Sequence, residues 1–207
     1  MNFLAHCSLA HDAASLWGVN PAERQGLLAG AVVADFIKGQ IPQTWPDALR
    51  AGTALHRKID ALSNVSPGIR ETCNRFPKHL RRFAPIFVDI LADHTLALTW
   101  ADYYHMPRNH FSRECYFAIG HFQSYLDPDA KRFFEYMSEV DLLANYDQWQ
   151  HVNQGLKSVL RRLNKSQWHA EVEDICREIL TESHGDFSRY YPHLRKNWRH
   201  WNAFNTI

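Results

Sequence analysis

Cysteine is scarce in this sequence and never falls in a paired motif. Cys7, Cys73, Cys115 and Cys176 stand far apart with no CxxC spacing, which excludes a thiolate zinc knuckle and a dithiol redox site. Isolated thiols of this kind fit a reducing cytosol. Excess charge of either sign is lacking too. Lys and Arg number 23 against 22 Asp and Glu, a formal net charge of +1, so nothing global points to nucleic acid. No apolar run is long enough to span a bilayer, and the amino-terminal stretch MNFLAHCSLAHDAASLW has neither the basic start nor the apolar centre of a signal peptide. The expectation is a soluble cytoplasmic protein with no membrane insertion and no nucleic-acid partner. Alternating strand patterns, repeats, low-complexity tracts and long linkers are absent as well.

What is present is helix punctuation. Asn20-Pro21-Ala22-Glu23 offers a cap, a proline at the first helical position and a glutamate at the third, opening a helix that can run to Gly39. A second helix is expected from about Asp47 to Leu62. Pro67 and Pro77 bound a short one, Pro85 opens another, and Asp127-Pro128 is a further cap-like start. QWQHVNQGLKSVLRRL and SQWHAEVEDICREILTESHGDFSRYY carry apolar residues three and four apart. The fold class is therefore all-α: one domain over residues 1–207, a helical bundle of about seven to nine helices.

Acidic residues and histidines intrude on apolar segments in the first half. Asp35 is the only charge in AGAVVADFIKG, and FVDILADHTLALTW, apolar nearly all round a helix, carries Asp89, Asp93 and His94. Asp89 and Asp93 are one turn apart, as are His56 and Asp60 in LHRKID. Buried like charges need a compensating partner: arginines from a neighbouring helix, or a metal ion. Taken together, carboxylates and imidazoles from several helices form a nitrogen and oxygen ligand set suited to Mn²⁺, Mg²⁺, Fe²⁺ or Zn²⁺, and a cation so held activates water for hydrolysis. His6, among Phe3, Leu4, Ala5 and Leu9, is a further candidate.

At these residues the sequence resembles the acyl carrier protein phosphodiesterases. The matching elements are MNFLAH, ADFIKG, LHRKID and APIFVDILADHTLALTW, in that order. The resemblance implies a metal-dependent phosphodiesterase with an HD-phosphohydrolase-like core, although the adjacent pair here runs Asp93-His94 rather than His-Asp. It implies hydrolysis of holo-acyl carrier protein to the apo form and 4′-phosphopantetheine, a reaction of fatty acid and lipid metabolism. The implied cofactor is a divalent metal, Mn²⁺ foremost, with Mg²⁺ or Fe²⁺ as alternatives. The ligand pool is then Asp35, His56, Asp60, Asp93 and His94, with Asp89 as a ligand or an orienting group. Arg57, with Lys58, would stabilise phosphate charge, and His6 would protonate the leaving serine. An acidic carrier requires local basic surface, for which Lys78, Arg81 and Arg82 are the expected residues; Arg161, Arg162 and Lys165 form a second cluster. Two other functions fit the same residues: a phosphohydrolase of a nucleotide or other small phosphoester, and a non-catalytic helical interaction module whose buried charges are ion pairs.

Overall fold

A computed structural model describes residues 2–207, and all regular structure among them is helical. The first helix, α1 (Phe3–Trp17), stops at Gly18, whose φ of 62° is left-handed. Next comes α2 (Pro21–Val33), opened by the expected capping box: Glu23 N–H donates to Asn20 Oδ1 at 3.0 Å, and Asn20 N–H to Glu23 Oε2 at 2.9 Å. Then follow α3 (Asp47–Asn64), α4 (Pro67–Asn74) and α5 (Ala84–Leu98), the last two with proline in the first turn. The second half comprises α6 (Trp100–Tyr103), α7 (Arg108–His121), α8 (Pro128–Glu139), α9 (Leu142–Asn145), α10 (Trp149–Arg162), α11 (His169–Glu178) and α12 (Leu180–Lys196). Asp127 caps α8 by accepting from Ala130 N–H at 2.7 Å.

Twelve helices exceed the expected seven to nine for two reasons. First, α6 and α9 are single turns of 4 residues, too short to show periodicity. Second, the segment from Ser166 to Tyr191 is not one helix. A 3-10 turn at Ser166–Trp168 precedes α11, and the backbone bends at Ile179 (φ −86°, ψ 2°) before α12. Apolar spacing continues through the bend because both helices bury their own stripe. The bend lets Asp186 of α12, 1% exposed, reach α4, where it accepts from Thr72 Oγ1 at 2.7 Å and from Arg75 at 2.5 Å.

Two features position the functional residues. The first is the crossing of α2 over α3. A Cβ placed on Gly30 would lie 2.4 Å from the Gly52 carbonyl carbon, and one on Gly52 would lie 2.5 Å from the Gly26 carbonyl oxygen. Only glycine permits backbones this close. The second is α5, whose residues are nearly all buried and which runs under the start of α1. The far side of α1 is pinned by a polar chain. Arg195 Nε donates to Asp12 at 2.6 Å, Tyr104 Oη to the same carboxylate at 3.1 Å, and the Tyr104, Tyr191 and Ser8 hydroxyls follow at 2.8 and 2.7 Å.

Among the described residues, no helix is long and apolar enough to cross a membrane.

Candidate metal centre

Three elements converge at the amino-terminal turn of α1. The α2 helix does not continue to Gly39 as expected. It ends at Val33 and tightens into a 3-10 turn, Ala34–Phe36, which swings Asp35 out of the apolar face and toward α3. The i,i+4 pair of α3 presents His56 and Asp60 on the facing side. His6, on the second turn of α1, completes the group.

Asp60 sits between the two histidines. Its Oδ1 is 3.1 Å from His6 Nε2 and its Oδ2 is 3.2 Å from His56 Nε2. Asp35 Oδ1 approaches His56 Nε2 at 3.5 Å. The two imidazoles stack, with centroids 3.8 Å apart and planes 10° from parallel. The histidine side chains are 1% and 4% exposed, whereas Asp60 and Asp35 are 44% and 46% exposed. The cluster is therefore closed on its nitrogen side and open on its oxygen side.

His56 Nδ1 lies 2.8 Å from the Ala31 carbonyl. A carbonyl only accepts, so Nδ1 carries the proton and Nε2 is the atom turned toward the carboxylates. This is the outer hydrogen bond that orients metal-ligating histidines. Ligand atoms of His6, His56 and Asp60 all lie within 4.8 Å of one another. Two imidazole nitrogens and a carboxylate oxygen suit Mn²⁺, Fe²⁺ or Zn²⁺, so the residues present fit a divalent cation.

The electrostatics show how tightly the group is coupled. Burial depresses His56, but the hydrogen bonds it donates to Asp35 and Asp60 outweigh that and raise it to about 10. His6 is pushed down to about 4, by burial first and by neighbouring His56 second. Burial acts to raise Asp60, yet the hydrogen bonds from both histidines hold its carboxyl well below the usual range. Asp35 is lowered against its own burial by His56 in the same way. One carboxylate thus serves both imidazoles and offsets the repulsion that lowers His6 beside His56.

The remaining sequence candidates have other neighbours. Asp93, fully buried, accepts the backbone N–H of Leu4 at 2.7 Å and of Ala5 at 3.0 Å. It caps α1 from another helix, in place of Asn2, whose side chain makes no cap hydrogen bond. Burial pushes Asp93 up to about 7, against those two amides. His94 turns the other way: its Nδ1 donates to the Tyr146 carbonyl at 2.7 Å and its ring meets Trp149 edge-on. Asp89, half-buried one turn before Asp93, is also raised by burial. Arg57 donates to the Ile37 carbonyl at 3.2 Å, tying the Asp35 turn to α3. Lys78, Arg81 and Arg82 are exposed, but Arg81 is committed to the Phe76 and Asn74 carbonyls at 2.9 and 3.2 Å. The Ala31 carbonyl, which orients His56, was invisible in the sequence because a backbone acceptor carries no residue signature.

The cap role has a measurable consequence. Asp93→Ala strands two buried amide donors, at a cost of about 2–4 kcal/mol. At about 2–4 °C per kcal/mol for a chain of this size, the melting temperature should fall by roughly 5–15 °C, with Asp93→Asn recovering part of it. An unchanged melt for Asp93→Ala would show that α1 does not depend on this cap.

A family model described as acyl carrier protein phosphodiesterase matches residues 1–194. Relatives of that name from Shigella boydii serotype 18 and Escherichia coli K12 (strain DH10B) are each 39% identical over 101 residues. The aligned part is 49% of this chain and 47% of each relative, so the chain spans about half the length of the curated relatives it matches. No solved structure matches significantly. With a family model covering nearly its whole length and the His6–His56–Asp60 cluster at its centre, the chain belongs to the acyl carrier protein phosphodiesterase family.

Proposed function

We propose that this protein is a metal-dependent phosphodiesterase that converts holo-acyl carrier protein to the apo form. Water adds at phosphorus, the bond to the carrier serine Oγ breaks, that oxygen takes up a proton, and the arm departs as 4′-phosphopantetheine. The observation that carries the reading is the cluster of His6, His56 and Asp60 within 4.8 Å, in a chain whose family is named for this substrate.

His6, His56 and Asp60 would hold the cation, for which Mn²⁺ is the proposed identity, with Asp35 beside them as a further carboxylate. A divalent cation there supplies positive charge opposite the phosphate and lowers the pKa of a bound water. The chain's own groups set the stage. The Ala31 carbonyl holds a proton on His56 Nδ1 and so aims Nε2 at the carboxylates, Asp93 fixes the turn that carries His6, and Arg57 fixes the turn that carries Asp35. His6 is placed here with the ligands because its ligand atom lies within 4.8 Å of those of His56 and Asp60.

The test uses purified protein stripped with EDTA and reloaded with Mn²⁺. Reloading should restore conversion of holo- to apo-carrier on a gel and release of 4′-phosphopantetheine by mass spectrometry. It should also raise thermal stability by about 2.7 kcal/mol at a hundredfold excess over Kd. Turnover and melting indifferent to both EDTA and Mn²⁺ would remove the basis for this function.

A further inference from the structure

The two basic stretches that stand apart in the sequence, 78–82 and 161–165, meet in the fold across a single indole. The Trp168 ring lies 5.6 Å from that of Phe83 and 5.9 Å from that of His79. Lys165 Nζ sits 4.8 Å from the Trp168 centroid, and the Arg82 guanidinium 4.4 Å from that of Phe83. Directly alongside, Ser166 and His169, which flank Trp168 in the chain, line a shallow cleft with Gln154, Lys157 and Arg161. Lys157 and Arg161 are both exposed and stand one turn apart on α10. Arg82, Lys165, Lys157 and Arg161 therefore form one cationic strip from three parts of the chain.

We propose that this strip around Trp168 is the docking surface for an acidic helix of the protein substrate. The inference rests on the function proposed above. Of the nearby carboxylates, Glu171 faces His79 at 3.0 Å, and Glu173 accepts from Trp149 Nε1 and from Arg177 and stands 3.8 Å from His169, so both turn to groups other than the strip's four cations. Cations interleaved with half-buried aromatic rings match a helix whose carboxylates alternate with apolar side chains. The strip's four cations, in a chain with a net charge of +1, offer fewer contacts than the six to ten phosphates of a typical nucleic-acid footprint. Position agrees as well. Phe83 immediately precedes α5, and Asp93, which supports the start of α1, lies about 15 Å further along that helix at 1.5 Å per residue. The scissile phosphate sits on the carrier serine itself, so the docked helix, about ten residues long over the same 15 Å, would have to carry that serine from the strip to the metal cluster.

The experiment compares Lys157→Glu with Arg161→Glu as a double variant against Arg113→Glu with Lys196→Glu, an equal charge change elsewhere. Three quantities are read: affinity for apo-carrier protein, kcat/KM on holo-carrier protein, and melting temperature. The double variant on the strip should weaken apo-carrier binding and lower kcat/KM by about tenfold or more, with the melt preserved. The wild-type advantage should shrink as salt rises. Wild-type binding of apo-carrier that the strip variant abolishes supports docking here, even if holo-carrier is not cleaved and the proposed reaction fails. Cleavage of holo-carrier with unaltered binding by the strip variant overturns the docking face and leaves the reaction standing. Equal losses in both double variants, or tighter binding of RNA or anionic vesicles than of carrier, also overturn it.

Discussion

Asp60→Asn should abolish hydrolysis and weaken Mn²⁺ binding by at least about a hundredfold, the upper end of what loss of an outer partner costs a metal site. Asp60 contacts both imidazoles, at 3.1 and 3.2 Å. Replacing one carboxylate oxygen with an amide nitrogen removes the negative charge and turns an acceptor into a donor facing a ring nitrogen. The side chain is nearly half exposed, so the fold should tolerate the change. Titration calorimetry with Mn²⁺ and a holo-carrier assay on the same preparation would read both effects. Near-normal affinity and turnover in a folded Asp60→Asn protein would place the cation elsewhere.

A larger effect on stability is expected from a residue that touches no ligand. In Gly52→Ala the new Cβ would lie 2.5 Å from Gly26 O, 2.8 Å from Leu27 O and 2.9 Å from Gly30 Cα, all of them backbone atoms. None can rotate away, so α2 and α3 must separate. Overpacking of this kind costs about 1–3 kcal/mol or more, which corresponds to a fall in melting temperature of roughly 2–12 °C. The site should suffer with it. The Ala31 carbonyl that orients His56 follows Gly30 directly, and Asp35 rides on the end of the same helix. Mn²⁺ affinity should therefore drop although every ligand is intact. Gly155→Ala serves as the control, since its Cβ would meet only Ile90 side-chain atoms at 3.5 Å or more, an ordinary contact. A Gly52→Ala protein that melts and binds metal like the parent would show that the helices can slide apart freely.

What was legible in the sequence was local. Asn20, Asp127, Pro67 and Pro85 mark helix starts because capping and the proline φ act within a few residues. His56 and Asp60 share a face because four residues make about one turn. The conclusion that Asp89 and Asp93 need compensation was also sound physics, but the nature of the compensation was hidden. For Asp93 it is two backbone amides of a helix nearly ninety residues away in sequence, at 2.7 and 3.0 Å, and amides look alike at every position. His94 is adjacent in sequence yet about 100° further round the helix, enough to hand it to Tyr146 instead. Asp35 looked like a charge inside a helix because nothing in AGAVVADFIKG marks where α-helix tightens to a 3-10 turn. The convergence of two basic stretches on Trp168, in the 3-10 turn before α11, is a tertiary fact that no residue pattern marks.

The asymmetry of the cluster, with buried imidazoles behind carboxylates that are 44% and 46% exposed, bears on how the protein acquires its ion. A cation bound as proposed would reach the oxygen side directly from solvent, so its loading and exchange would require no unfolding. Occupancy then follows the free concentrations of the competing divalent ions, weighted by their intrinsic affinities for nitrogen and oxygen donors. Which metal the protein carries becomes a property of its surroundings as much as of its own residues.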